Sequence, residues 1–195
     1  NSFATALLSA LKKPNGDIRP IAVGNTLRRL TGVIVTSVFR TEITAAMPPT
    51  QVAVGTQAGC EGLALAVDQA ILNDGWHVMK RDASNAFNSV DRHQILEEVE
   101  LSLPTLRHFA RYCYQGIVEL SAPSSMTADG HITVWSREGT AQGDPCGMWL
   151  FALGAKHEEL AYAHYLQHVA DKLRLPAPTR RAYRDSSYLA SPIAT

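Results

Sequence analysis

The stretch Lys80-Arg81-Asp82-Ala83-Ser84-Asn85-Ala86-Phe87-Asn88-Ser89-Val90-Asp91-Arg92 constrains this chain more than any other. Ahead of it, Trp76, Val78 and the aliphatic stem of Lys80 alternate with polar positions, the two-residue period of a short strand. Behind it, Asp91 is placed to cap a helix with Gln94 in its first turn and Ile95, Leu96 and Val99 as its apolar positions. Asp82 thus falls where a strand has ended and a helix has not begun. A carboxylate at such an edge projects from a rigid scaffold, which suits a metal ligand or a catalytic acid. A lone Asp in this place reads as a turn cap; the rest of the chain changes that reading.

Composition narrows the classes. The 195 residues, 46% of them hydrophobic, suffice for one domain or somewhat more, with a real core. Eighteen basic residues balance eighteen acidic ones, so the whole chain carries no field that draws in nucleic acid or a membrane, which counts mildly against a nucleic-acid binder. Cys60, Cys113 and Cys146 are odd in number, widely spaced and without C-x-x-C, which reads as reduced thiols in an intracellular protein, nuclear or cytoplasmic. The apolar run from Cys146 to Ala155 is too short to span a bilayer and no signal peptide opens the chain, so no membrane partner is expected. A start at Asn1 and a stop at Thr195 after a strand-like segment lead us to expect a piece of something longer.

Residues 1–11 read as the end of a helix. Lys12 to Val23 then reads as a hairpin turning at Asn15-Gly16, with basic side chains on both arms. A helix follows, capped by Asn25 or Thr26, with Leu27, Leu30, Ile34, Val38 and Ile43 at helical spacing and an end at Pro48-Pro49. Glu61 to Leu72 is expected as a helix with Ala64, Leu65 and Ile71 inward. Pro104 opens a further helix to about Gln115. Ile117–Ser121 and His131–Ser136 read as paired strands. Asp144 caps a helix with Pro145 at its first position, apolar nearly all round from Met148 to Leu153 and hence deeply buried. Arg180–Tyr183 and Tyr188–Ala190 read as arms of a hairpin with Asp185-Ser186-Ser187 at its tip. Antiparallel hairpins among long helices make the class α+β.

The basic hairpin, the strand-end Asp82 and the hairpin-tip Asp185 together suit magnesium-assisted phosphoryl transfer. Magnesium takes one or two carboxylates and fills its shell with phosphate oxygens and water; paired ions activate the attacking oxygen and steady the leaving one. Cations on a flap offset phosphate charge. This order of motifs resembles the reverse transcriptase family, most closely its non-LTR retrotransposon branch. The resemblance is carried by Arg19-Pro20-Ile21, by Asp82 to Arg92 with Asn85-Ala86-Phe87-Asn88, by Gly139-x-x-Gln142-Gly143-Asp144-Pro145, and by Tyr183-Arg184-Asp185-Ser186 in place of Tyr-x-Asp-Asp. It covers roughly residues 11 to 191.

The resemblance implies the fingers and palm of a right-hand polymerase, with an antiparallel palm sheet backed by helices and the thumb absent. Fingers would occupy about 1–57 and 116–142, palm about 58–115 and 143–195. It implies Asp82 and Asp185 as catalytic metal ligands, with the carbonyl of Ala83 as a further ligand, and magnesium, or manganese in its place, as cofactor. Lys12 and Arg19 would meet the triphosphate, Phe87 would exclude a 2′-hydroxyl, and Gln142 and Gly143 would lie under the nascent base pair. On the residues alone, Phe87 equally suits a helix-start core, and Lys12 and Arg19 suit a solvated hairpin. Partners would be an RNA or DNA template with primer, a deoxynucleoside triphosphate, and the remainder of a polyprotein carrying a thumb, with or without an endonuclease. One departure matters: Ser186 stands where the family has a second aspartate, which removes one negative charge and points to weakened or lost polymerisation. The alternative is a non-catalytic nucleic-acid-binding module derived from a reverse transcriptase; a weaker one is an unrelated metal-dependent hydrolase. No G-x-x-x-x-G-K, G-x-G-x-x-G or G-x-S-x-G occurs, which sets aside P-loop, Rossmann and serine-hydrolase chemistry.

Overall fold

A computed structural model describes residues 3–48, 50–72, 76–83, 85–173, 179–183 and 186–192, with backbone alone for 76, 77, 79, 81, 170, 173, 179–183 and 186–192. In chain order the first elements are β1 (Ala6–Lys12), β2 (Ile18–Gly24), α1 (Thr26–Val38), α2 (Arg40–Ala46), α3 (Gly59–Leu72) and β3 (Trp76–Asp82). Then come α4 (Ala86–Ser89), α5 (Arg92–Ser102), a 3₁₀ turn (Pro104–Leu106), α6 (Arg107–Tyr114), β4 (Val118–Pro123) and β5 (His131–Ser136). The last are α7 (Gly147–Gly154), α8 (Lys156–Leu173), β6 (Thr179–Tyr183) and β7 (Ser186–Pro192). By contacts these form two compact units, Asn1–Ala46 with Asn85–Gly154, and Met47–Ser84 with Ala155–Thr195. The fingers and palm expected from sequence are divided by role rather than by contacts, and the two divisions answer different questions.

The first unit holds a four-stranded sheet in the order β2-β1-β4-β5. β1 runs antiparallel to β2 and parallel to β4, and β4 antiparallel to β5. Residues 1–11, expected as a helix end, therefore contribute a strand. The Ala- and Leu-rich sequence favours a helix locally, but pairing on both sides overrides that preference. Ala6, Ala22, Val118 and Leu120 form a buried cluster on one face, with Leu8 packed against it. Pro20 has no N–H to give a ladder and is tolerated because β2 is an edge strand. The hairpin turns at Asn15-Gly16 as expected, but through the loop Lys13–Asp17 rather than a tight two-residue turn. Gly16 has φ +92° while Asn15 does not take a positive φ, and the Gly16 N–H donates to Lys13 O at 3.0 Å.

Helices supply the deeper core of this unit. Asp91 caps α5 by accepting the His93 N–H at 2.8 Å, as read from sequence, and Ile95 and Val99 are fully buried. α7 is buried from Trp149 to Gly154, although Met148 is 40% exposed. In α1 the apolar stripe Leu27, Leu30, Ile34 and Val38 is more than half exposed, while Arg28 and Gly32 are the buried positions. The one helix expected to run to Pro48-Pro49 is two, α1 and α2, and of its expected stripe Ile43, in α2, is buried. In α1 periodicity did not identify the buried face, because a buried ion pair turns Arg28 inward.

The second unit contains an antiparallel sheet in the order β3-β7-β6, with α3 lying against all three strands. The expectation that Ala64, Leu65 and Ile71 point inward is corrected. All three are exposed, and Gly59, Leu63 and Ala70 are buried instead. Those three fall on one helical face at spacings of four and seven, and at Gly59 an added Cβ would collide with the Val52 carbonyl oxygen. Ser186, expected at a hairpin tip, is the first residue of β7.

Candidate functional site

Asp82 is the last residue of β3 and is exposed, as is Ala83 after it. Across the β3–β7 pair its register partner is Ser186, and Ser186 is also the partner of Tyr183 across β6–β7. Asp185, together with Arg184, lies outside the described residues, as do the side chains of β6 and β7. Among the described residues no group of three or more His, Cys, Asp or Glu is placed to hold a metal. Magnesium does not require one, since a carboxylate or two with water and phosphate oxygens complete its shell. An exposed carboxylate at the end of a strand, paired in register with the hairpin that carries residue 185, suits a sparse site of that kind.

The expected nucleotide-binding residues lie in the other unit. Lys12 pairs with Ile18, and Leu11 with Arg19. Alternation along the strands then sets Lys12 on the face of Ala6, Leu8, Pro20 and Ala22, and Arg19 on the opposite face. Both are exposed. Phe87 lies in α4 and is half-buried, its ring stacked on Phe151 with centroids 4.7 Å apart. Its carbonyl accepts the Thr140 N–H at 2.6 Å. Gln142 and Gly143 are half-buried in the loop between β5 and α7. A side chain at Gly143 would put its Cβ 2.4 Å from the Ala22 carbonyl oxygen, so only glycine allows β2 to lie this close.

Sequence reasoning missed the group of charges behind that loop. Arg28 donates to Asp144 Oδ2 from Nη2 at 2.6 Å and from Nε at 3.2 Å, with the two side chains only 5% and 4% exposed. The Tyr114 hydroxyl donates to the same Oδ2 at 2.6 Å, and Asp144 Oδ1 accepts the Cys146 N–H at 2.9 Å. Arg92 directs its guanidinium at the carbonyls of Gly116, Ser136, Glu138 and Gly139 and at the Ser136 hydroxyl. The guanidinium carbons of Arg28 and Arg92 lie 5.1 and 5.5 Å from the Tyr114 ring centroid, within cation–π range. Burial by itself pulls the Arg28 guanidinium down, but Tyr114 and the Asp144 carboxylate outweigh it and the group is raised above an ordinary arginine. Burial lowers Arg92 and lifts the Tyr114 phenol well above its usual range. Burial also pushes the Cys113 thiol up to about 11 and the Cys146 thiol up to about 12, so both are inert neutral thiols at pH 7.

Arg28, Arg92, Tyr114 and Asp144 line a cavity of about 300 Å³. Its other walls are the inner sheet face, including Ala6, Pro20 and Ala22, and the side chains of Asn85 and Asn88. Asn85 holds a left-handed backbone at φ +52°, a conformation that Asn tolerates better than other side chains. A signal for Asp144 was present in the sequence as a helix cap. Its partners were not legible, because Arg28 and Tyr114 are 116 and 30 positions away.

No protein-family model and no curated protein sequence matches the chain. Solved structures do. A telomerase from Candida albicans, in complex with the TWJ fragment of telomeric RNA, is similar with a TM-score of 0.66 at 11% identity over 97% of this chain. The fold is reverse-transcriptase-like. Apo telomerase from Candida tropicalis is similar with a TM-score of 0.63 at 10% identity, again over 97% of this chain. The chain spans 38% and 39% of the length of those telomerase chains. The reverse-transcriptase-like fold agrees with the α+β fingers-and-palm architecture expected from the motifs. Among the described residues no helix is long and apolar enough to cross a membrane.

Proposed function

We propose that this chain is the fingers and palm of an RNA-directed DNA polymerase from a non-LTR-like retrotransposon, acting with an RNA or DNA template, a primer and a deoxynucleoside triphosphate. The observation that carries the reading is the register of β3 on β7. Asp82 is paired directly with Ser186, one peptide bond from Asp185, although the two segments are remote in sequence. In the proposed reaction the primer 3′-oxygen attacks the α-phosphorus, the bond to the β-phosphate oxygen breaks, and pyrophosphate leaves. Asp82 and Asp185, with the Ala83 carbonyl, would hold magnesium or manganese. That metal, when bound, supplies activation of the primer hydroxyl and charge stabilisation on the leaving group. Lys12 and Arg19 offset triphosphate charge, Phe87 closes the space of a 2′-hydroxyl, and Gln142 and Gly143 support the nascent pair. Ser186 supplies a neutral hydroxyl where a carboxylate would add charge. Loss of a neighbouring group that supports a metal ligand costs about 10- to 100-fold, so this copy polymerises weakly at best.

The test uses the full-length protein with primer–template. Mg²⁺-dependent binding of dATP is expected, and Asp82→Ala is expected to abolish it. Ser186→Asp is expected to raise primer extension by at least about tenfold. Binding of dATP that ignores both Mg²⁺ and Asp82→Ala, with primer–template still held, would favour a non-catalytic nucleic-acid-binding module instead.

A further inference from the structure

The loop Gln142-Gly143 is gripped at both ends by one buried atom. The Tyr114 hydroxyl oxygen accepts the Ala141 N–H at 3.4 Å, just before the loop, and donates to Asp144 Oδ2 at 2.6 Å, just after it. Tyr114 is 1% exposed, so water does not compete for either bond. Both flanks are fastened independently of it. Upstream, Arg92 holds the Glu138 and Gly139 carbonyls, and Thr140 donates to Phe87 O. Downstream, Arg28 holds Asp144. Between these anchors only Gln142 and Gly143 are left; the Asp144 N–H closes the turn on Ala141 O at 3.0 Å, and the Tyr114 oxygen ties both ends of that turn to the core.

We propose that Tyr114 is a positioning residue for nucleotide selection, its hydroxyl fixing the backbone from Ala141 to Asp144 and through it the place of the Gln142 side chain against an incoming deoxynucleotide. The proposal deepens the polymerase reading above and rests on it. The ring and the hydroxyl do separable work. The ring lies beside two buried guanidinium groups and fills the core, whereas the hydroxyl touches the loop. Tyr114→Phe therefore removes the grip and leaves the packing.

Two measurements on the full-length protein decide it. In the first, dATP–Mg²⁺ is titrated into the primer–template complex of wild type, Tyr114→Phe, Gln142→Ala and the double variant. Tyr114→Phe is expected to weaken dATP binding by on the order of tenfold, and to have no further effect once Gln142 is already Ala. Equal weakening in both backgrounds, or no weakening, overturns the proposal, because a merely structural role does not depend on the side chain at 142. In the second, native-state amide exchange of the loop is compared between wild type and Tyr114→Phe. Exchange at Ala141 and Gln142 is expected to speed up by at least tenfold while the α5 amides keep their protection. Unchanged loop exchange overturns the proposal whatever the titration gives. A wild-type protein that binds no dATP–Mg²⁺ removes the polymerase reading, and with it the nucleotide role of Tyr114, even if the loop exchange responds.

Discussion

Asp144 carries more of this molecule than a helix cap should. Both its oxygens are occupied, by Arg28 and Tyr114 on one side and the Cys146 N–H on the other. Without the carboxylate, Arg28 keeps the Ala4 carbonyl at 3.0 Å as an acceptor, on a side chain that is only 5% exposed. Leaving one charge of a buried pair uncompensated costs about 3–5 kcal/mol, far more than the net worth of the intact pair. Asp144→Ala is therefore expected to lower the unfolding free energy by about 3–5 kcal/mol in urea denaturation at pH 7. A loss within the roughly 0.5 kcal/mol of an ordinary surface substitution would mean that water reaches Arg28 and that the pair is not sealed.

At the scale of elements, the loop between β5 and α7 is fastened to its neighbours through backbone atoms. Gly139 O accepts from Arg92 Nε at 2.8 Å, the Gly139 N–H donates to Val90 O at 2.8 Å, and Gly143 lies against Ala22 O on β2. A strand carbonyl cannot swing aside as a side chain can. Gly143→Ala is expected to force the loop from β2 and cost about 1–3 kcal/mol, the range for overpacking. Gly116→Ala, where an added Cβ meets nothing within 4 Å, serves as the control and should stay within about 0.5 kcal/mol. Equal melting curves for the two variants would show that β2 and the loop are not in contact in solution.

At the scale of the whole molecule, eighteen basic residues balance eighteen acidic ones. A chain with no net field gains little from the phosphate backbone in general, so under the proposed function its hold on nucleic acid would depend on a few placed cations such as Lys12 and Arg19. A plot of log affinity for primer–template against log salt is expected to have a slope shallower than about −5, corresponding to fewer than about six released counterions. A slope near −10 would contradict this and require a basic surface assembled from dispersed residues.

Much of this protein was legible along the chain. Asp82 at a strand end, the Asn15-Gly16 turn, the Asp91 cap and the all-apolar α7 are local signals, set by period, capping and turn chemistry within a few residues. The helical reading of residues 1–11 failed, and so did the inward faces assigned in α3. Each depended on what lies opposite, and local preference does not contain that. Tertiary structure alone placed Ser186 across from Asp82, separated Lys12 and Arg19 onto opposite faces of one hairpin, and brought Arg28, Tyr114 and Asp144 around one buried oxygen. The physical reason is the same in each case. A side chain's neighbours along the chain fix its backbone, but its charge and hydrogen bonds are settled by whichever residues share its desolvated space.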